Sequence, residues 1–364
     1  SASMTFDMGN TDKLNIFSQD ARQLGIDILP PSINHSVVDF KPEGKAIRYS
    51  LAALKNVGRQ SVVSLCRERE ANGHFESLLD FAERVNPKDI NKRALENLAA
   101  SGAFDDLSPN RAEVYDNVDV ILATANKTND DRTSGQNDLF GGGQQKLELT
   151  LKKRDKWLPM DQLGYEFDAV GFFLTGHPLD QYQTVISRLD CMTWIEIEEE
   201  ARIEHTGGLI AATVVYKQER KSKSGNQFAF AAFSDQTGQF EAVVFSDTLN
   251  SSRELLEPGT AVLLRVDAEF EGESLKTRVI SVESLDHAAE RIQQTLQIVI
   301  DRPESLEQIK ARVLQPGNGQ LQLVAYLDDL DREVQITLPG KFDVSPRQAG
   351  LARTLSDILD VREC

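Results

Sequence analysis

Cysteine is scarce: three residues in 364, at Cys66, Cys191 and Cys364, far apart and odd in number. That count excludes a disulfide framework, fits a reducing compartment such as the cytoplasm, and offers no thiol and imidazole spacing for zinc. Long apolar runs are missing too. Stretches such as 169–174 are core-sized, far short of the ~18 residues that suggest a membrane span. No charged-then-apolar leader opens the chain. Ser-Ala-Ser precedes the first methionine, Met4, inside an already patterned segment, so the chain reads as a piece of a longer protein. Familiar catalytic signatures are absent: no GxxxxGK[ST] phosphate loop, no GxSxG elbow, no HExxH. The histidines (His35, His74, His177, His205, His287) have no partner spacing. Acidic pairs such as Asp130-Asp131 and Asp328-Asp329 fall in turns or polar runs, whereas a two-metal centre needs carboxylates on rigid neighbouring elements. No catalytic residue and no metal ligand is assigned. Positive charge is also short, with 40 basic against 57 acidic residues and a net charge of −17. Coating of nucleic acid by the whole chain is thereby excluded, and only local basic patches remain.

What is present is organised in blocks. The length argues for two to four domains, and 40% hydrophobic with 27% charged residues excludes wholesale disorder. Leu14, Phe17, Ala21 and Leu24 predict a helix over 11–24, stopped by Gly25 and followed by a short strand over 26–29. Residues 45–108 predict helices throughout, as a helix–turn–helix repeated once. Its turns lie at Asn56-Val57-Gly58 and Asn86-Pro87-Lys88. Residues 126–146 are polar and Gly-rich, which predicts a flexible linker. Residues 147–188 predict helices broken at Thr175-Gly176-His177-Pro178. From 209 the period becomes two. Strands are expected at 209–216, 227–233, 239–245, 261–270 and 275–282, with a helix at 247–256 between the third and fourth. That order is the five-stranded OB barrel. Residues 293–364 predict a small α/β unit with strands at 296–300, 320–326 and 334–338 and helices at 306–314 and 346–359.

Three features stand out chemically. Gly58 between two helices lets backbone N–H groups approach a phosphate, with Arg59 beside them; Lys88, Asn91, Lys92 and Arg93 stand at the second turn. Residues 41–108 carry 11 basic and 10 acidic side chains, a local contrast with the acidic whole. The plainer alternative is an ordinary helical hairpin with surface charges. The second feature is Gln136-Asn137-Asp138-Leu139-Phe140. Its two apolar side chains, isolated in a polar run, suit docking into an apolar pocket at ~1.5–3 kcal/mol each. They equally suit packing back on the parent domain. The third is Lys217, Arg220, Lys221 and Lys223 with Phe228 and Phe230. Basic loop and strand aromatics are how OB barrels hold single strands, although alternate aromatics also build barrel cores.

The order of several short blocks resembles the C-terminal part of the bacterial C-family replicative polymerases, the DNA polymerase III alpha subunits. These blocks are the stretch 3–14 (Ser-Met-Thr-Phe-Asp-Met-Gly-Asn-Thr-Asp-Lys-Leu), Asn91-Lys92-Arg93-x-Leu95-Glu96-x-Leu98 running into Ser101-Gly102-Ala103-Phe104-Asp105, the pentapeptide 136–140, Thr175-Gly176-His177-Pro178-Leu179, and Phe233-Ser234-Asp235-x-Thr237-Gly238. The resemblance implies a multidomain α+β chain. Residues 1–40 would end a fingers domain; 41–125 would be a tandem helix-hairpin-helix domain gripping primer-template duplex through Asn56, Val57, Gly58, Arg59, Lys88, Asn91, Lys92 and Arg93. Residues 126–146 would be a linker whose Gln136, Asp138, Leu139 and Phe140 bind the beta sliding clamp. Residues 147–189 would connect, 190–286 would form an OB domain near the single-stranded template, and 287–364 a small α/β domain contacting the clamp-loader tau subunit. The family's catalytic aspartates and their Mg²⁺ belong to a palm domain that these residues do not cover, so this piece would be inactive alone and carry no cofactor. It would be cytoplasmic, with no membrane partner. One departure is Asn56, where family hairpins carry glycine; asparagine tolerates the left-handed geometry. Two other readings are an error-prone paralogue of the same family and a non-enzymatic OB scaffold.

Overall fold

The computed structural model describes residues 1–134, 149–222, 225–272, 274–292, 295–302, 305–327, 332–355 and 358–363. They divide into two compact units, Ser1–Gly176 and His177–Cys364.

The first unit is mainly helical. It runs α1 (Ala2–Phe6), α2 (Thr11–Gln23), three short strands β1 (Ile28–Leu29), β2 (Lys41–Glu43) and β3 (Ala46–Arg48), and a 3-10 turn over Leu51–Ala53. Then come α3 (Arg59–Asn72), α4 (Leu78–Arg84), α5 (Lys92–Ala100), α6 (Arg111–Asp116), α7 (Val118–Ser134) and α8 (Pro159–Val170). Asn10 caps α2 by accepting from the Lys13 amide. The strand β3 corrects the all-helical reading of 45–108. Gly44, at φ +63°, lets β2 turn back on β3, whose other edge pairs with β1, and the first helix of the motif is only the Leu51–Ala53 turn. Tyr49, Leu51, Phe81, Leu95, Leu98 and Phe104 are fully buried in one core, with Phe75, Phe81 and Phe104 meeting edge to face.

Two further expectations fail here. The polar run from 126 is helical as far as Ser134. Buried Val118, Ile121 and Ala125 anchor α7 in the core, and the helix continues from them into polar sequence, where Thr124, Asn126 and Thr128 each donate to the carbonyl four residues back without breaking it. The rest of the linker, with Gln136, Asp138, Leu139 and Phe140, lies outside the described residues. Residues 149–158 are not helical. The buried Asn117 amide bonds both backbone groups of Lys152, at 2.8 and 2.9 Å, and Asn110 donates to the Arg154 carbonyl at 2.8 Å; backbone groups held this way are not free for a helix.

The second unit opens with a 3-10 turn (Pro178–Tyr182) capped by His177, then α9 (Gln183–Arg188) and α10 (Trp194–Ala201). The barrel follows: β4 (Thr206–Lys221), β5 (Gln227–Ser234), β6 (Gln239–Val244), α11 (Ser246–Ser252), β7 (Ala261–Glu271) and β8 (Ser274–Ser284). It closes in the order β4-β5-β6-β8-β7, with the β6–β8 contact parallel and the others antiparallel. This is the OB topology. Alternate residues fill it, among them Ala229, Ala231, Phe233, Val262, Leu264 and Val266. Trp194 stacks on Phe240 at 4.2 Å.

The chain ends in α12 (Leu285–Ile292), β9 (Thr295–Ile300), α13 (Ser305–Arg312), β10 (Pro316–Leu327), β11 (Arg332–Thr337), α14 (Pro346–Arg353) and β12 (Ile358–Glu363). The sheet order is β11-β10-β9-β12. The helix expected over 346–359 stops at Arg353. Residues 358–363 instead pair antiparallel with β9, burying Val361 while Leu359 and Asp360 stay exposed.

Candidate nucleic-acid interface

The two predicted turns are two copies of one device. In the first, Val57 is buried and Asn56 takes φ +61°, so the chain reverses and α3 starts at Arg59 with Gly58 as its cap residue. Gly58 has no side chain to accept from the first helical amides, which leaves them without a capping side chain. In the second, Ile90 is buried in the place of Val57, and Asn91 takes the place of Gly58 but accepts from the Ala94 amide at 2.9 Å. Lys92 and Arg93 open α5 on the surface.

Hydrogen bonds tie the copies to each other. Asn97 on α5 donates to the carbonyl of Lys55 in the first turn at 2.6 Å. Ser61 on α3 donates to the carbonyl of Asp89 in the second turn, and Ser64 donates to its carboxylate at 2.7 Å. The turns are therefore fixed as a pair. Asn97, Ser61 and Ser64 were not singled out from sequence, because a polar residue on a helix face looks the same whether it faces water or a neighbouring turn. Lys55 was also missed. It is exposed, occupies the same place as Lys88, and its ammonium lies 5.9 Å from the Phe167 ring. Aligning the repeat on Val57 and Ile90 would have revealed it.

The expected cations are only partly free. Arg59 pairs with Asp39 at 2.9 Å and Lys92 with Asp119 at 2.7 Å. The bond to Asp119 holds the Lys92 ammonium above its ordinary value. Lys88 and Arg93 are exposed. Val57 contributes its backbone alone, since its side chain is core.

On the barrel, Phe228 and Phe230 are half-buried and lie outside the core, which Ala229 and Ala231 enter instead. Their rings meet edge to face at 5.4 Å, and the Arg220 guanidinium lies 5.4 Å over Phe230. Arg220 is paired across the strands with Phe228, and Gln218 with Phe230, so these side chains share one outer face. Lys221 is exposed. Lys217 departs from the expectation: its ammonium bonds Glu257 at 2.7 Å and the Arg253 carbonyl, so it is already neutralised. Lys223 lies outside the described residues. Beyond Phe230 a groove of about 520 Å³ is lined by Glu241, Asp267, Glu269 and Glu271 against Lys276 and Arg278. Phosphate would be repelled there, so the basic side of the face is the side open to a strand. Exposed Phe245 at the rim of this groove was missed, because it stands at the strand end, where period two lapses.

Among the described residues no three His, Cys, Asp or Glu side chains gather to hold a metal ion. Nor is any described helix long and apolar enough to cross a membrane.

Comparison with known proteins bears on this arrangement directly. Residues 25–114 match the helix-hairpin-helix motif family. The DNA polymerase III subunit alpha of Caulobacter vibrioides is 35% identical over 357 residues, which is 97% of this chain and 31% of the relative. The chain belongs to the DNA polymerase III alpha subunits. It corresponds to their C-terminal region and spans about 31% of their length. The Escherichia coli K12 subunit is 28% identical over 98% of this chain. Among solved structures, the mitochondrial single-stranded DNA binding protein Rim1 of S. cerevisiae overlays 22% of this chain, and 97% of its own, at 21% identity and a TM-score of 0.20.

Proposed function

We propose that this chain holds DNA and tethers partners for a processive replicative polymerase. The paired hairpins contact duplex phosphates through the uncapped amides of α3 and through Lys55, Lys88, Lys92 and Arg93. Arg220 and Lys221, with Phe228 and Phe230, take single-stranded template. Gln136, Asp138, Leu139 and Phe140 bind the beta sliding clamp, and the C-terminal sheet meets the clamp-loader tau subunit. DNA-templated nucleotidyl transfer with Mg²⁺ is assigned to the palm domain of the parent subunit.

The observation that carries this reading is the reciprocal bonding of the two turns. A lone hairpin needs no such link. Two backbone contacts on a regular duplex need a fixed separation, because phosphates repeat at fixed intervals and each contact adds only if both are met at once. Fluorescence anisotropy with a short blunt duplex tests it: the chain should bind with a steep salt dependence. A flat salt dependence would remove the phosphate contacts. The clamp assignment has its own test. Leu139→Ala with Phe140→Ala should abolish binding to the sliding clamp in calorimetry, and unchanged affinity would discard it.

A further inference from the structure

A second basic and aromatic surface stands in the first unit, in the segment that is extended where helix was expected. Lys152, Lys153, Arg154 and Lys156 follow one another with only Asp155 between them, and all are exposed. Arg154 is spent on Asp116 at 2.6 Å. Lys152, Lys153 and Lys156 make no ion pair among the described residues. The backbone beneath them is fixed rather than loose. Asn117, 3% exposed, bonds both backbone groups of Lys152, and Asn110 bonds the Arg154 carbonyl.

Three rings end this row. Trp157 stacks on Tyr165 of α8 at 4.0 Å with planes 11° apart. Tyr115 of α6 packs against both, edge-on to Trp157 at 5.4 Å and tilted against Tyr165 at 5.1 Å. Tyr165 remains 36% exposed. Trp157 is half-buried, so the stacked pair is backed by the fold and still reaches solvent. The row is also continuous with the second hairpin: Lys92 reaches Asp119 on α7, and Asn117, which joins α6 to α7, holds Lys152.

We propose that Lys152, Lys153, Lys156, Trp157 and Tyr165 form a binding site for a single-stranded nucleic acid segment. The lysines follow its phosphates and an unpaired base stacks on the Trp157–Tyr165 pair. The single strand is the ligand the rings select, because bases inside a duplex have no free face. A row of cations alone would accept an acidic peptide equally well; the rings at its end are what favour a nucleobase. The inference rests on the DNA-holding reading and extends it to a site that reading does not use.

The test uses the full chain with oligothymidylate, a blunt duplex and a polyglutamate peptide as probes. Trp194→Phe leaves Trp157 as the sole tryptophan, since the chain has two, and Arg220→Glu with Lys221→Glu in the same chain removes the barrel's proposed hold on a single strand. Oligothymidylate should quench Trp157 fluorescence saturably, with the same midpoint as its anisotropy, and the duplex and the peptide should not. Exchanging Lys152, Lys153 and Lys156 for glutamate should weaken oligothymidylate binding roughly 10-fold or more and lower its salt slope by about 2. Trp157→Leu should weaken it several-fold and leave the slope alone. Quenching by polyglutamate, equal quenching by the duplex, or an unaltered slope in the triple variant would each overturn the proposal while leaving the hairpins' role intact. A chain that binds neither DNA probe would overturn both.

Discussion

The two hairpins of the first unit share a plan and divide the work differently. Both bury one branched aliphatic residue, Val57 or Ile90, under the turn. The first then places glycine at the start of its helix, so the helix amides stay unsatisfied and available to a phosphate. The second places Asn91 there, which consumes an amide, and relies on Lys88, Lys92 and Arg93 instead. One turn offers backbone dipoles; the other offers side-chain charge. Glycine at the cap costs little helix stability compared with asparagine, so the uncapped amides of α3 are an inexpensive feature to keep.

The largest effect is expected from Lys88→Glu with Arg93→Glu, both exposed and without an ion pair among the described residues, unlike Lys92, which Asp119 offsets as Asp39 offsets Arg59. Duplex affinity should fall by about 10- to 100-fold at low salt, and the salt slope should drop by about 2. Arg59→Glu should cost only a few-fold, since Asp39 already offsets Arg59; equal losses in the two variants would erase the distinction. Next come the links between the copies. Ser61→Ala and Asn97→Ala should each cost about 1 kcal/mol in denaturant unfolding, and each should weaken duplex binding although neither side chain need touch DNA. Unchanged affinity in both would mean that the pairing is structural alone. The smallest effect is Asn56→Gly. It relieves a left-handed asparagine and should stabilise the chain by roughly 0.5 kcal/mol, without altering the salt slope.

The barrel was legible because period two, short turns and a single intervening helix leave few alternatives. Four strands were expected within two residues of where they stand, whereas β4 runs on to Lys221 through residues expected as a basic loop, because 217–221 pair with 227–231 of β5. Failures came where a local signal was true but incomplete. The polarity of 126–134 said nothing about helix, because a helix anchored by buried Val118, Ile121 and Ala125 runs on into polar sequence. The apolar spacing of 147–158 suggested helix, but Asn110 and Asn117, some forty residues earlier, claim its backbone. The first two residues of β12 read as the end of a helix and the other four were given no element, because six residues are too few to separate the two periods. At the candidate interface, the turn positions and exposed Lys88, Asn91, Lys92 and Arg93 were visible in sequence. The pairing of Lys217 with Glu257 and of Lys92 with Asp119 was not, since both partners come from distant elements.

The central claim is that duplex DNA sits on both turns at once. Amide hydrogen exchange of the chain with and without a short duplex tests it most directly. Slowed exchange is expected at Gly58, Arg59 and Gln60 together with Lys92 and Arg93. Protection elsewhere, with these amides unchanged, would contradict it.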